Sequence, residues 1–223
     1  MNKKQLAGHI DHTLLKAVAT EDAIKRLCLE AQTYRFAAVC VNPTHVAQAS
    51  SELSDSSVKV CTAIGFPLGA NSSQVKGYEA AQAVKSGADE VDMVINIGAL
   101  KSGKLEVLER DITEVVSQAT SNNLEALVKV IIETCYLTDL EKVTACQIAV
   151  KAGAHFVKTS TGFGPGGANV HDIKIMLESV GPEFGIKASG GISTYSQAAA
   201  MIEAGATRIG TSAGVQILSG AKD

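Results

Sequence analysis

Ala149-Val150-Lys151-Ala152-Gly153-Ala154-His155-Phe156-Val157 reads as the end of a helix, a glycine suited to the left-handed C′ position, and the first residues of a strand. The same joint occurs twice more. Ala83-Val84-Lys85-Ser86-Gly87-Ala88-Asp89-Glu90-Val91 precedes it, and Met201-Ile202-Glu203-Ala204-Gly205-Ala206-Thr207-Arg208-Ile209 follows it. A helix-to-strand joint that recurs in this form belongs to a repeated β-α unit.

Helical and strand patterns alternate outward from these joints. Thr20 is placed to cap a helix whose apolar face is Ile24, Leu27, Cys28 and Ala31, at spacings of three and four. Asn42-Pro43 offers a cap followed by proline in the first turn. Thr138-Asp139-Leu140-Glu141 has capping-box spacing. Strands are expected near 8–11, 37–41, 58–64, 89–95, 126–132, 155–159, 184–189 and 207–210. Several are almost wholly apolar, as strands covered on both faces must be. Eight strands with helices between them, even composition and no low-complexity linker predict a single α/β domain over 1–223, a (β/α)8 TIM barrel. Roughly 250 residues is typical of that fold and ~200 its lower limit. The rival is an open doubly wound sheet, which usually has fewer strands at this length. No Gly-x-Gly-x-x-Gly follows the first strand to support it.

Composition narrows the function. With 46% hydrophobic residues the chain can bury a sizeable core, and a net charge of −3 argues against broad binding of nucleic acid or anionic membranes. Trp is absent, so platforms for stacking single-stranded nucleic acid are poor. No apolar stretch approaches the ~18 residues of a membrane span. Met1-Asn2-Lys3-Lys4 begins like a signal n-region, but Gly8-His9-Ile10-Asp11-His12 follows in place of an apolar segment. A cytoplasmic protein is expected. Five cysteines (Cys28, Cys40, Cys61, Cys135, Cys146), an odd number without Cys-x-x-Cys spacing, read as reduced thiols rather than a disulfide scaffold or zinc site.

The chemistry starts at Lys158, in His155-Phe156-Val157-Lys158-Thr159-Ser160-Thr161-Gly162, where an ammonium ends an apolar strand. Such a charge is costly unless compensated. Lys187 repeats the pattern in Phe184-Gly185-Ile186-Lys187-Ala188-Ser189-Gly190-Gly191. Parallel neighbours lie ~4.8 Å apart, so the two side chains can meet if both point inward. An unperturbed lysine titrates near ~10.4, which leaves about one in a few thousand neutral at pH 7. A nucleophilic lysine needs a value of roughly 7–8. Burial and a neighbouring ammonium both act in that direction. The plainer reading is two independent lysines, each facing solvent or an acidic partner. Lys59, at the start of its strand, belongs to the stability face, whereas mid-strand Lys129 is a candidate third cation in the same cavity. Asp92 is a carboxylate inside an apolar strand, suited to a salt bridge with an inward lysine and to proton relay beside an amine.

Active sites of such barrels lie at the C-terminal ends of the strands. Asp11-His12-Thr13, Cys40-Val41-Asn42, Thr62 and Glu133-Thr134 stand at or near those ends. Three glycine-rich loops follow the last three strands: Gly162-Phe163-Gly164-Pro165-Gly166-Gly167, Gly190-Gly191, and Gly210-Thr211-Ser212-Ala213-Gly214. Glycines let backbone N–H groups approach a phosphate closely, and Ser212 is placed to open a short helix and donate a hydroxyl. The plainer reading of each loop alone is a tight turn.

Val157-Lys158-Thr159-Ser160-Thr161-Gly162-Phe163, Ile186-Lys187-Ala188-Ser189-Gly190-Gly191-Ile192 and Glu90-Val91-Asp92-Met93-Val94 together resemble the deoxyribose-phosphate aldolase family. Asp11-His12-Thr13, Cys40-Val41-Asn42-Pro43 and Lys129-Val130-Ile131-Ile132-Glu133-Thr134 extend the resemblance over essentially the whole chain, in order. It implies a metal-independent, cofactor-free class I aldolase acting on a small sugar phosphate, 2-deoxy-D-ribose 5-phosphate, and assembled as a homodimer or higher homo-oligomer. Lys158 then corresponds to the Schiff-base lysine, Lys187 to the lysine that lowers its pKa, and Asp92 to the proton-relay carboxylate. Gly162, Gly190, Gly191 and Ser212 correspond to the phosphate site.

Two features depart from that pattern. Some members carry a lysine where this chain has Phe163, which shifts phosphate binding toward backbone groups. Some end in a longer tail with a tyrosine, where this sequence ends Leu218-Ser219-Gly220-Ala221-Lys222-Asp223. Two other functions fit the same barrel. A sugar-phosphate isomerase would want a carboxylate base rather than a lysine pair, and a non-catalytic phosphometabolite-binding barrel needs no neutral amine.

Overall fold

The computed structural model describes residues 1–221. Its strands are β1 (Ile10–Leu14), β2 (Ala38–Val41), β3 (Lys59–Ile64), β4 (Glu90–Val94), β5 (Leu127–Ile131), β6 (Phe156–Lys158), β7 (Gly185–Ser189) and β8 (Arg208–Thr211). They pair in parallel and in chain order, and β8 returns to β1 through Ile10↔Ile209, Asp11↔Gly210 and His12↔Thr211. The expected (β/α)8 barrel is therefore present, with seven of the predicted strands within one residue of their places at each end and the first shifted from 8–11 to 10–14. The first begins at Ile10 because the residues before it form α1 (Lys3–Ala7), closed by a capping box between Asn2 and Gln5. The last two residues of the tail lie outside the described residues.

The outer helices are α2 (Glu21–Tyr34), α3 (Val46–Glu52), α4 (Ser73–Lys85), α5 (Ile97–Lys101), α6 (Leu105–Thr120), α7 (Asp139–Lys151), α8 (Val170–Val180), α9 (Tyr195–Glu203) and α10 (Gly214–Ser219). Their starts follow local chemistry. Thr20 accepts the Ala23 N–H, and the buried face of α2 is Ile24, Leu27, Cys28 and Ala31, as the spacing predicts. Thr138 and Glu141 complete a capping box on α7. Asn42 makes no side-chain cap; Pro43–His45 forms a 3₁₀ turn ahead of α3 instead. The repeated joint behaves as read: Gly87, Gly153 and Gly205 have φ of 104°, 83° and 118°. No helix among the described residues is long and apolar enough to cross a membrane.

Apolar residues fill the shell between strands and helices, in one continuous cluster that includes Ile24, Val39, Val91, Ile112, Val130 and Ile186. The inside of the barrel is different. Branched apolar layers usually fill it. Here the alternate positions Glu90 and Asp92, with Asp11, Lys129, Lys187 and Arg208, bring charge into the barrel, beside a small cluster containing Cys40, Cys61 and Ala63.

Candidate active site

Lys158 is the last residue of β6 and stands level with Lys187 on β7 and Ile131 on β5. Its Nζ lies 2.8 Å from Asp92 Oδ2, and Lys187 Nζ reaches the same oxygen at 2.8 Å. The two lysines thus meet, as their spacing allows, through one shared carboxylate oxygen. Asp92 Oδ1 is taken by Lys129 Nζ at 2.8 Å and by the Cys61 thiol at 3.1 Å. Asp92 therefore binds three lysines where the sequence suggested one.

The network continues downward. Lys187 also contacts Asp11 at 2.5 Å, and Lys129 contacts Glu90 at 2.6 Å. Arg208 bridges Asp11 at 2.5 Å and Glu90 at 2.7 Å. Charges removed from water must be paired, and here each is. Counted as ionised, four cations (Lys129, Lys158, Lys187, Arg208) face three carboxylates (Asp11, Glu90, Asp92). Loss of one proton brings the cluster to balance.

The surroundings fix most of these charges. Burial raises the Asp92 carboxyl, but Lys129, Lys158 and Lys187 outweigh it and hold the group well below the usual carboxylate range. Asp11 is likewise depressed: burial opposes, and Lys187, Arg208 and Lys129 prevail. Burial pulls Lys187 and Lys129 down, yet the facing carboxylates, Asp11 and Asp92 for Lys187 and chiefly Asp92 for Lys129, hold both above the ordinary lysine value. Lys187 thus keeps its proton at neutral pH beside Lys158.

Above this floor opens a cleft of about 530 Å³ at the C-terminal mouth of the barrel. Lys158 lines it, and no other member of the charge network does. The remaining wall comes from residues 13–16, 161–163, 189–193 and 210–213, so the three glycine loops converge there as expected. Gly162, Gly190 and Gly191 have φ of 83°, 88° and 77°. A Cβ on Gly167 would lie 2.2 Å from the Gly190 carbonyl oxygen, so two of the loops pack backbone to backbone. Ser212 is an exposed part of the wall, but it does not open a helix: α10 begins at Gly214 with Ala213 at the N-cap and no side-chain cap. Phe163 lines the cleft and packs edge-on against Phe66, with ring centroids 5.2 Å apart.

Several functional groups escaped the reading of the sequence. Glu90 and Arg208 gained no role there, and Asp11 was marked only as standing near a strand end, although period-two alternation in strands that close a barrel would have turned all three inward. Glu133, buried with φ 54°, accepts the Thr161 N–H and hydroxyl and so holds the turn after Lys158. Lys59 is exposed and paired with Asp89, in keeping with the stability face, and all five cysteines are free thiols. Cys40, Cys61 and Asp92 lie close enough to share an ion. Lys129 already occupies that ground 3.3 Å from Cys61 Sγ, and burial pushes the Cys61 thiol up, so the donor set does not suit a divalent cation.

Residues 6–220 match the model of the DeoC/LacD family of aldolases. The chain is 60% identical over 220 residues to a deoxyribose-phosphate aldolase of Carboxydothermus hydrogenoformans, covering 99% of this chain and 96% of that protein. It is 61% identical over 217 residues to one of Enterococcus faecalis, covering 97% of each. Among solved structures it is similar to the tetrameric deoxyribose phosphate aldolase of Aeropyrum pernix, with a TM-score of 0.90, 35% identity and coverage of 97% and 91%. The aldolase QR15 gives a TM-score of 0.90 at 42% identity, covering 96% and 94%.

Proposed function

The chain belongs to the DeoC/LacD family of aldolases, and on that premise we propose that it reversibly cleaves 2-deoxy-D-ribose 5-phosphate to acetaldehyde and D-glyceraldehyde 3-phosphate through a Schiff base on Lys158. One observation carries the assignment of the nucleophile. Of the four clustered cations, only Lys158 lines the cleft, and it is the one whose partner oxygen is shared with the Lys187 ammonium.

The neutral amine of Lys158 attacks the C1 aldehyde, and loss of water leaves a protonated imine. The C2–C3 bond then breaks, its electron pair passes into the iminium to give an enamine, and the C3 hydroxyl proton departs. Protonation of the enamine at C2 and hydrolysis release acetaldehyde and free the lysine. The iminium is the electron sink, so the step needs no metal. Asp92 accepts the hydroxyl proton through a water molecule. Its burial beneath Lys158 requires that intermediary, and its electrostatics fit the timing. While the nitrogen of Lys158 is cationic, three positive groups suppress the basicity of Asp92. Formation of the neutral enamine removes one of them in the step that liberates the proton. The Lys187 ammonium shares Asp92 Oδ2 with Lys158 and holds that carboxylate in place beneath the reacting nitrogen.

Gly162, Gly190, Gly191 and Ser212 serve as the phosphate cradle in this proposal, presenting backbone N–H groups and one hydroxyl. The isomerase alternative is disfavoured by the cleft wall, which among the described residues contains no carboxylate to act as a base. Pure binding of a metabolite would leave the buried lysine network without a purpose.

Borohydride trapping in the presence of acetaldehyde tests the proposal. A two-carbon adduct is expected at one site per chain, mapped by peptide mass spectrometry to Lys158, with loss of turnover. Mapping to Lys187 or Lys129 overturns the residue assignment, and the absence of any adduct overturns the Schiff-base mechanism.

A further inference from the structure

The cleft contains a second cation that the network does not claim. Of the described residues lining it, only Lys158 and Lys16 are charged. Lys16 is exposed, and no side-chain hydrogen bond or ion pair engages its ammonium among the described residues. Barrel closure puts it there. β1 pairs with β8 through Asp11↔Gly210 and His12↔Thr211. Residues 13–16 therefore leave the barrel beside residues 212–213, at the same end as Gly190 and Gly191.

A phosphate monoester carries about −1.5 to −2 charge at pH 7. The three glycine loops offer it dipoles and a hydroxyl but no formal charge, and Phe163 contributes an apolar ring paired with Phe66. Lys158 is committed to Asp92 and to the aldehyde end of the substrate. Among the described residues lining the cleft, Lys16 alone is left to neutralise the anion, and lysine serves such sites as a mobile point charge on a flexible stem. We propose that Lys16, reaching across from the β1–α2 loop, is the cation that binds the substrate phosphate and sets the preference of this enzyme for phosphorylated over unphosphorylated sugars.

The inference rests on the aldolase reading, and its test keeps the two apart. Steady-state kinetics are measured with 2-deoxyribose 5-phosphate and with 2-deoxyribose, for the wild type, Lys16→Met and Lys16→Arg. The ratio of kcat/KM between the two sugars is expected to fall about ten- to hundredfold in Lys16→Met, the scale of one charge-assisted hydrogen bond. The loss should lie in KM for the phosphorylated sugar, Lys16→Arg should keep most of the preference, and competitive inhibition by inorganic phosphate should weaken in parallel. A ratio that does not change, or a fall shared equally by both sugars, overturns the role of Lys16. A wild type that cleaves neither sugar overturns the aldolase reading itself.

Discussion

Lys158 differs from its neighbours by position rather than by chemistry. Lys129, Lys187 and Lys158 all touch Asp92, but the first two are sealed under the floor of the cleft while Lys158 ends its strand at the mouth. Lys187 sets the electrostatic terms: it takes half of the oxygen on which Lys158 depends and adds a fixed positive charge beside it. In Lys187→Met, Lys158 would hold Asp92 Oδ2 alone and lose the repulsion, both of which favour its ammonium. The alkaline rise of kcat/KM should therefore move to higher pH, with lower activity at neutral pH. A profile that stays in place would show that the two lysines are not coupled. Removing one partner of a buried ion pair costs about 3–5 kcal/mol, so the profile is to be recorded below the melting transition of the variant. At this scale the sequence was most informative where a charge interrupts an apolar run, as at Lys158, Lys187 and Asp92. It was silent on Lys16, an ordinary loop lysine until the closing strand pair brings it to the cleft.

At the scale of elements, the helix-to-strand joint that disclosed the fold also makes a graded stability claim. Gly153 and Gly205 share positive φ, so alanine at either meets left-handed strain of roughly 1–2 kcal/mol. Their surroundings differ. A Cβ at Gly153 meets Val116 at 3.7 Å, an ordinary contact, whereas at Gly205 it lies 2.7 Å from the Leu177 side chain. Gly205→Ala should consequently lower the denaturant midpoint more than Gly153→Ala, and equal midpoints would mean that Leu177 yields without cost. Boundaries were legible wherever backbone chemistry is local, as in the capping box of Thr138 and Glu141 or the buried face of α2. They were lost where a short element competes with its context. Asn42 precedes a 3₁₀ turn rather than a capped helix, and Ser212 stands one residue outside the cap of a six-residue helix.

The charge network exists only at the scale of the closed barrel. Its members come from β1, β4, β5, β6, β7 and β8, and they meet because every second residue turns inward and the sheet returns to its first strand. The pattern of inward charge was present in the sequence, but the pairing of Arg208 with Asp11 and Glu90 depends on register, which no local window contains. Closure also makes Lys158, the proposed nucleophile, answerable to distant groups. Four cations face three carboxylates in the cluster, and Lys158 is the member in contact with the cleft. Lys129→Met removes a cation that does not line the cleft and leaves three cations matched by three carboxylates with Lys158 counted as ionised. The expected result is an upward displacement of the pH–activity profile, with Lys158 still in place. Glu90→Gln added to Lys129→Met restores the excess of one cation, three against two, and should return the profile toward that of the wild type. If the double variant stays where Lys129→Met lies, charge balance across the barrel does not govern the amine, and the effect of Lys129 is confined to its direct contact with Asp92.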